Sequence, residues 1–181
     1  MRSVPAVTRI GLTPDELLLR TWSSAHPPAY AARLPDLAVL EGETLALVGS
    51  GTLRLLERLL AVLPRCTALD GAAAAAAGAL RIRAQAAVRD GTRSLAVTEP
   101  FAGLDPAARA LAVADLAGLG CLGLTTVVAV DDPVLAARLA DRVVVVREGS
   151  PMVGYPVLTP SPRTEADVAP VTARLTARLV G

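Results

Sequence analysis

The sequence predicts an α/β fold with a mainly parallel sheet and flanking helices. Three observations carry this expectation. Short, nearly uncharged apolar runs stand at residues 44–48, 94–97, 125–130 and 142–147, as buried strands require. Helical spacing and helix-start signals fall between them, as in the leucines at 53, 55, 56, 59, 60 and 63. The two kinds of segment then alternate along the chain, which is the pattern of strands joined by crossover helices.

In chain order, residues 7–12 (VTRIGL) read as an edge strand, and Pro14-Asp15-Glu16 starts a helix through residues 17–22. A break follows at 25–28. Residues 36–48 (DLAVLEGETLALV) give two short strands around the turn Glu41-Gly42. A helix is expected over 52–63, buried on one broad face. Asp70-Gly71 breaks the chain, and six alanines (72–77) form a low-complexity insert with high helix propensity. Residues 79–89 continue as a helix. A strand at 94–97 leads to Thr98-Glu99-Pro100, and a helix runs over 106–119 behind the N-cap Asp105. Residues 116–130 are uncharged but interrupted by Gly118, Gly120 and Gly123, so they read as a loop feeding the strand at 125–130. Asp132-Pro133 opens a helix to residue 140, 142–147 is a strand, and Glu148-Gly149 is a turn. The expected organisation is one reduced unit over 1–156, a Pro/Ser/Thr linker at 157–164 and a last helix at 165–181.

Composition bounds the function. The chain has 181 residues, enough for a domain with its own core. Hydrophobic residues make up 52% and aromatics 2%, so that core is built from Ala, Leu and Val. A net charge of +1 gives no global attraction to nucleic acid or to anionic membrane. All 18 basic residues are Arg. Cys66 and Cys121 form neither a metal-ligand cluster nor a disulfide framework, which suits a reducing compartment. His26 is the only histidine, so neither a zinc site nor a Ser/His dyad is expected. No apolar stretch reaches about 18 residues, so no membrane span is expected and the chain reads as cytoplasmic.

From residue 37 to 154 the chain resembles the nucleotide-binding domain of ABC-transporter ATPases. The motif SLAVTEPFAGLDPAARALAV (94–113) is similar to the family's apolar strand ending in Asp-Glu-Pro, its Gly-Leu-Asp loop and the helix behind it. GLTTVVAVDDPVLAARLADRVVVVREG (123–149) matches the family's strand, switch position, helix and final strand with its turn. Residues 40–63 match its first strand, phosphate loop and helix. The resemblance implies a P-loop NTPase-like fold of ABC ATPase type. It places Gly49, Ser50, Gly51 and Thr52 at the phosphate loop, Thr98 at the metal aspartate and Glu99 at the catalytic glutamate. Asp131 falls on the switch histidine, Asp105 on the loop that crosses the dimer interface and Gly78 on the signature.

The departures point away from hydrolysis. A phosphate loop reads G-x-x-x-x-G-K-[ST], whereas Gly49-Ser50-Gly51-Thr52 runs straight into Leu53 and Arg54. There is no Lys anywhere in the chain. Losing one hydrogen bond to a charged group, about 1.5–3 kcal/mol, weakens binding roughly 10- to 150-fold. Thr98 is a neutral and poorer partner for Mg²⁺, and Asp131 brings negative charge toward a phosphate. With the signature serine also lost, Glu99 stands as a vestige. The family's helical subdomain is reduced to residues 61–77, and the sole Gln, Gln85, lies beyond it. Gly49 to Thr52 are therefore either a plain strand-to-helix turn or a weakened phosphate site. Arg81 and Arg83 read as a solvated helix face rather than a phosphate clamp. Trp22 and Tyr30 read as packing residues rather than an adenine platform.

These readings leave three functions. One is a non-catalytic partner of an ABC ATPase subunit or a membrane permease, or a homodimer, held to the membrane through the permease. One is a transporter subunit that still holds ATP weakly, with Mg²⁺ disfavoured. One is an unrelated interaction module reusing the fold. No nucleic-acid partner and no metal ligand set are expected.

Overall fold

The computed structural model describes residues 30–71, 79–158 and 163–180. The strand expected at 7–12, the helix after Pro14, Trp22, His26, the alanine run and Gly78 lie outside them. A six-stranded sheet has the order β4-β5-β6-β3-β7-β8. Its members are β3 (Thr44–Gly49), β4 (Cys66–Asp70), β5 (Ser94–Thr98), β6 (Thr125–Ala129), β7 (Arg142–Arg147) and β8 (Ser150–Pro156). The first five in space run parallel, and β8 pairs antiparallel with β7. A two-stranded antiparallel ribbon, β1 (Tyr30–Arg33) and β2 (Ala38–Leu40), precedes them. The helices are α1 (Thr52–Leu60), α2 (Leu80–Arg89), α3 (Pro106–Ala117), α4 (Pro133–Leu139) and α5 (Glu165–Val180), with a 3₁₀ turn at Gly118–Leu122.

The central strands read as apolar runs because both of their faces are covered. On β3, Ala46 and Val48 face α2 to α5, while Leu45 and Leu47 face α1 and the β1–β2 ribbon. The four valines of β7 divide the same way, Val143 and Val145 against Val144 and Val146. The two faces are thus filled by small branched side chains, and Phe101, the chain's one Phe, closes the helical side.

Helix starts follow their sequence signals. Asp105 Oδ1 accepts the Ala108 amide at 2.8 Å, and Asp132 Oδ1 accepts those of Val134 and Leu135, each ahead of a proline at the first helical position. Thr164 and Asp167 form a reciprocal cap at the start of α5, and their hydrogen bonds hold the Asp167 carboxyl below its usual range. α5 then buries Val168 and Leu175 in the helical-side core.

Three expectations shift. α1 ends at Leu60 rather than 63, because Pro64 disfavours helical backbone before it. Residues 66–70, read as part of a cut-down insert, form the edge strand β4. β8 was not expected, since SPMVGYP carries two prolines and a glycine. It is tolerated as an edge strand, where an absent N–H faces no partner.

The lower edge of the sheet, where the parallel strands begin, is held by buried charge. Arg142 Nε and Nη2 donate to the two Glu43 carboxylate oxygens at 2.6 and 2.9 Å, and Nη2 also reaches the Ala38 carbonyl. Glu43 is 8% exposed and further accepts the Leu40 amide. Next to it, Asp141 accepts the Thr44 amide and pairs with the buried Arg163. Burial pulls the Arg163 guanidinium below its ordinary pKa, and Asp141 opposes the shift.

Removing one member of such a pair strands the other without water. Arg142→Ala is expected to cost about 3 kcal/mol in urea unfolding, and the double change Arg142→Leu with Glu43→Leu less than that. A second expectation concerns pH. Burial pushes the Cys66 thiol up from 9.0 to about 11. The folded chain holds that proton more tightly than the unfolded one, so its contribution is full below pH 9.0 and is lost as the pH rises through about 11. Urea midpoints compared below and above that window, for the parent and Cys66→Ala, measure it.

Candidate functional site

The upper edge of the sheet gathers most of the residues that the sequence singles out. β3 ends at Gly49, and Ser50-Gly51 turn the chain into α1, whose first residue is the buried Thr52. Gly49 has φ 116° and Gly51 φ 76°, both in the left-handed region that glycine alone adopts freely. The turn lies directly against the Glu148-Gly149 turn between β7 and β8. Ser50 Oγ accepts the Glu148 amide at 3.0 Å, and the Ser50 carbonyl accepts the Gly149 amide at 3.2 Å. A Cβ on Gly51 would stand 2.4 Å from the Gly149 nitrogen, and one on Gly49 would stand 2.2 Å from the Val146 carbonyl oxygen and 3.2 Å from Leu179 Cδ2. The Arg54 side chain covers Gly149 from the other side, and Arg58 donates to the Gly149 carbonyl at 3.3 Å. The hydroxyl and carbonyl oxygens of Ser50 therefore both accept from a neighbouring turn. The first turn of α1 has no side-chain cap and no acidic residue, so its amides have no described side-chain acceptor.

A cavity of about 230 Å³ opens at the ends of β5 and β6. Glu99 and Asp131 line it together with Asp132 and Arg109, over apolar walls from Phe101 and Leu135. Glu99 is exposed and takes φ 44°, a left-handed conformation uncommon for a side chain with a Cβ. Its amide donates to the Ala129 carbonyl at 3.2 Å, which ties the turn after β5 to the end of β6. Three carboxylates and one guanidinium give this cavity an acidic character. One Asp132 carboxylate oxygen serves as the α4 cap, and Glu99, Asp131 and Arg109 share the rest of the charged lining.

The structure thus brings Glu99 and Asp131 to one cavity, and sets Gly49 to Thr52 in the turn from the adjoining β3 into α1, outside its lining. Thr98 is half-buried at the end of β5, and Asp105 is exposed with one carboxylate oxygen committed to the α3 cap. Tyr30 lies under the Arg33 guanidinium, 4.8 Å from its ring centroid. Among the described residues no group of three His, Cys, Asp or Glu is placed to hold a metal ion, and no helix is long and apolar enough to cross a membrane.

The parallel sheet, its flanking helices and a glycine turn between the central strand and α1 make a P-loop NTPase-like fold, of the type found in ABC ATPases. The chain is similar to a metal-chelate type ABC transporter in an inward-facing conformation, with 13% identity and a TM-score of 0.52 over 70% of this chain and 78% of that one. It is also similar to cbiO1 from Clostridium perfringens, part of the ABC transporter complex cbiONQ, with 13% identity and a TM-score of 0.51 over 80% of this chain and 85% of that one. At such identity the likeness is one of fold. No protein-family model and no curated protein matches the sequence.

Sequence reasoning missed Arg109 and the Glu148-Gly149 contact. Arg109 carries a legible signal, four residues after the cap Asp105 and so one turn into the helix. The turn-to-turn contact is tertiary and has none.

The close approach of two backbones leaves no room for a methyl group. Gly49→Ala and Gly51→Ala are each expected to cost at least about 2 kcal/mol in denaturant unfolding. Gly42→Ala, at φ 73° with nothing within 4 Å of the added carbon, carries only the backbone term of about 1 kcal/mol.

Proposed function

We propose that this chain is a non-hydrolysing protein of ABC ATP-binding fold that acts by contact with another protein. The observation that carries this reading is the closed glycine turn. The backbone that would cradle a β-phosphate is packed on Glu148-Gly149, and its serine is already hydrogen-bonded there. Around it, the residues that transfer a phosphoryl group are replaced. There is no Lys to reach the phosphate oxygens, Thr98 offers no charge to a metal, and Asp131 and Asp132 add negative charge where a phosphate would need the opposite. Glu99 alone has neither a metal nor a phosphate to position. The partner in this reading is an ABC ATPase subunit, through Asp105 and the residues around it, or a membrane permease. Its support is that one structural neighbour is part of a multi-subunit transporter complex.

A second reading, a subunit that holds ATP weakly without turning it over, is favoured by the uncapped first turn of α1. The two separate in one melt with and without millimolar Mg-ATP. A ligand at 100 times its Kd stabilises the native state by about 2.7 kcal/mol, roughly 5 °C or more for a chain of this size. No shift and no phosphate release above background are expected. A shift without turnover establishes the second reading. Turnover that is lost in Glu99→Gln overturns both.

A further inference from the structure

A second cavity, also of about 230 Å³, lies at the opposite edge of the sheet, where β5 and β6 begin. Ligands of open parallel sheets ordinarily sit at the carboxyl ends of the strands, so this cavity is independent of the site above. Its lining combines polar groups of complementary kind, Ser94, Thr125, Arg93 and Glu41, with apolar walls that include Val88 and Leu124.

Ser94 is one of three described residues, with Thr126 and Thr172, whose buried hydroxyl has no partner, and among these it alone is in the cavity lining. It is 0% exposed, and its Oγ has no hydrogen-bond partner. Buried polar groups are nearly always satisfied, because an orphaned one forfeits its bonds to water with no return. An alanine would fill the same place on β5 without that penalty. Thr125 is the cross-strand neighbour of Ser94 in register. Its Oγ1 accepts the Gly42 amide at 3.0 Å, which leaves its own proton available to donate. Ser94 and Thr125 therefore bring two adjacent hydroxyls to the lining, that of Ser94 lying just beneath its surface, beside Arg93, which is exposed and absent from the described ion pairs, as is Glu41. Two hydroxyls and a guanidinium are donors that match a carboxylate, and Glu41 is an acceptor that matches an ammonium.

We propose that this cavity binds a small aliphatic α-amino acid. Its carboxylate meets Arg93, Ser94 and Thr125, its ammonium group meets Glu41, and its side chain rests on Val88 and Leu124. The free protein carries the orphaned Ser94 hydroxyl, and the ligand satisfies it.

Titration calorimetry with L-leucine on the full chain tests this, with 4-methylpentanoate and 3-methylbutylamine as analogues lacking one charge each. Leucine is expected to bind, and each analogue to bind about tenfold more weakly or worse. Arg93→Ala and Ser94→Ala are each expected to weaken leucine about tenfold, while the exposed Arg178→Ala leaves it unchanged. A separate readout needs no ligand. Ser94→Ala melts at the same temperature as the parent or higher, because it removes an unsatisfied group. The proposal is overturned if leucine gives no heat at millimolar concentration, or if it binds both variants as tightly as the parent. Equal affinity for 4-methylpentanoate overturns the role of Glu41 and with it the amino-acid class.

Discussion

The upper edge of this protein depends on how closely Gly49 lies against Val146. Pairing of β3 with β7 carries the backbone of Gly49 to a distance at which no side chain fits. Everything around it follows from that approach. Ser50 and Gly51 turn the chain into α1, Gly51 in the left-handed region, Gly51 meets Gly149 in the same manner, and Ser50 closes the contact with its hydroxyl and its carbonyl. A strand-to-helix turn of this fold can wrap an anion only if its amides face open space. Here the turn between β7 and β8 occupies one flank, the Arg54 side chain packs over that turn, and Leu179 stands at the end of β3.

The charges divide the molecule in an equally simple way. At the lower edge two ion pairs are structural, each with one buried member, Glu43 in one and Arg163 in the other. Glu43 and Arg142 join the β2–β3 turn to β7, and Asp141 with Arg163 joins the foot of α4 to the start of α5. In the cavity at the upper edge they are more open and unequal in sign, with three carboxylates and Arg109 in the lining. Buried pairs of the first kind are sensitive to loss of either member and fix the register of the elements they join. Exposed charges of the second kind contribute little to stability and are free to meet a partner.

Much of the fold was legible in the sequence because its central strands are covered on both faces. The runs at 44–48 and 142–147 have no other use for so many unbroken aliphatic side chains, and Asp105-Pro106 and Asp132-Pro133 announce their helices through capping chemistry that is local. Where the sequence misled, the deciding forces were not local. Cys66–Asp70 alternates between half-buried and exposed, because it is an edge strand with one neighbour, and so it lacks a continuous apolar signature. Ser150–Pro156 carries no strand signal that the sequence reading took up, and becomes a strand through β7 alone. At the candidate site, the residues sharing a cavity were legible in kind, as Glu99 and Asp131, but the Arg109 that faces them and the turn that Ser50 binds depend on tertiary packing. The orphaned hydroxyl of Ser94 is the extreme case, since a serine opening a strand carries no mark of whether its oxygen will be satisfied.

The contact between Leu179 and the end of β3 ties the stability of two distant parts of the chain together. The last turn of a helix frays more readily than its middle, and here that fraying turn is one wall of the glycine bend. Fraying of that last turn would take the Leu179 side chain away from Gly49 and leave this part of the backbone uncovered. A spectroscopic label carried at the exposed Val180, 85% open to solvent, sits at the rim where that uncovering would be visible.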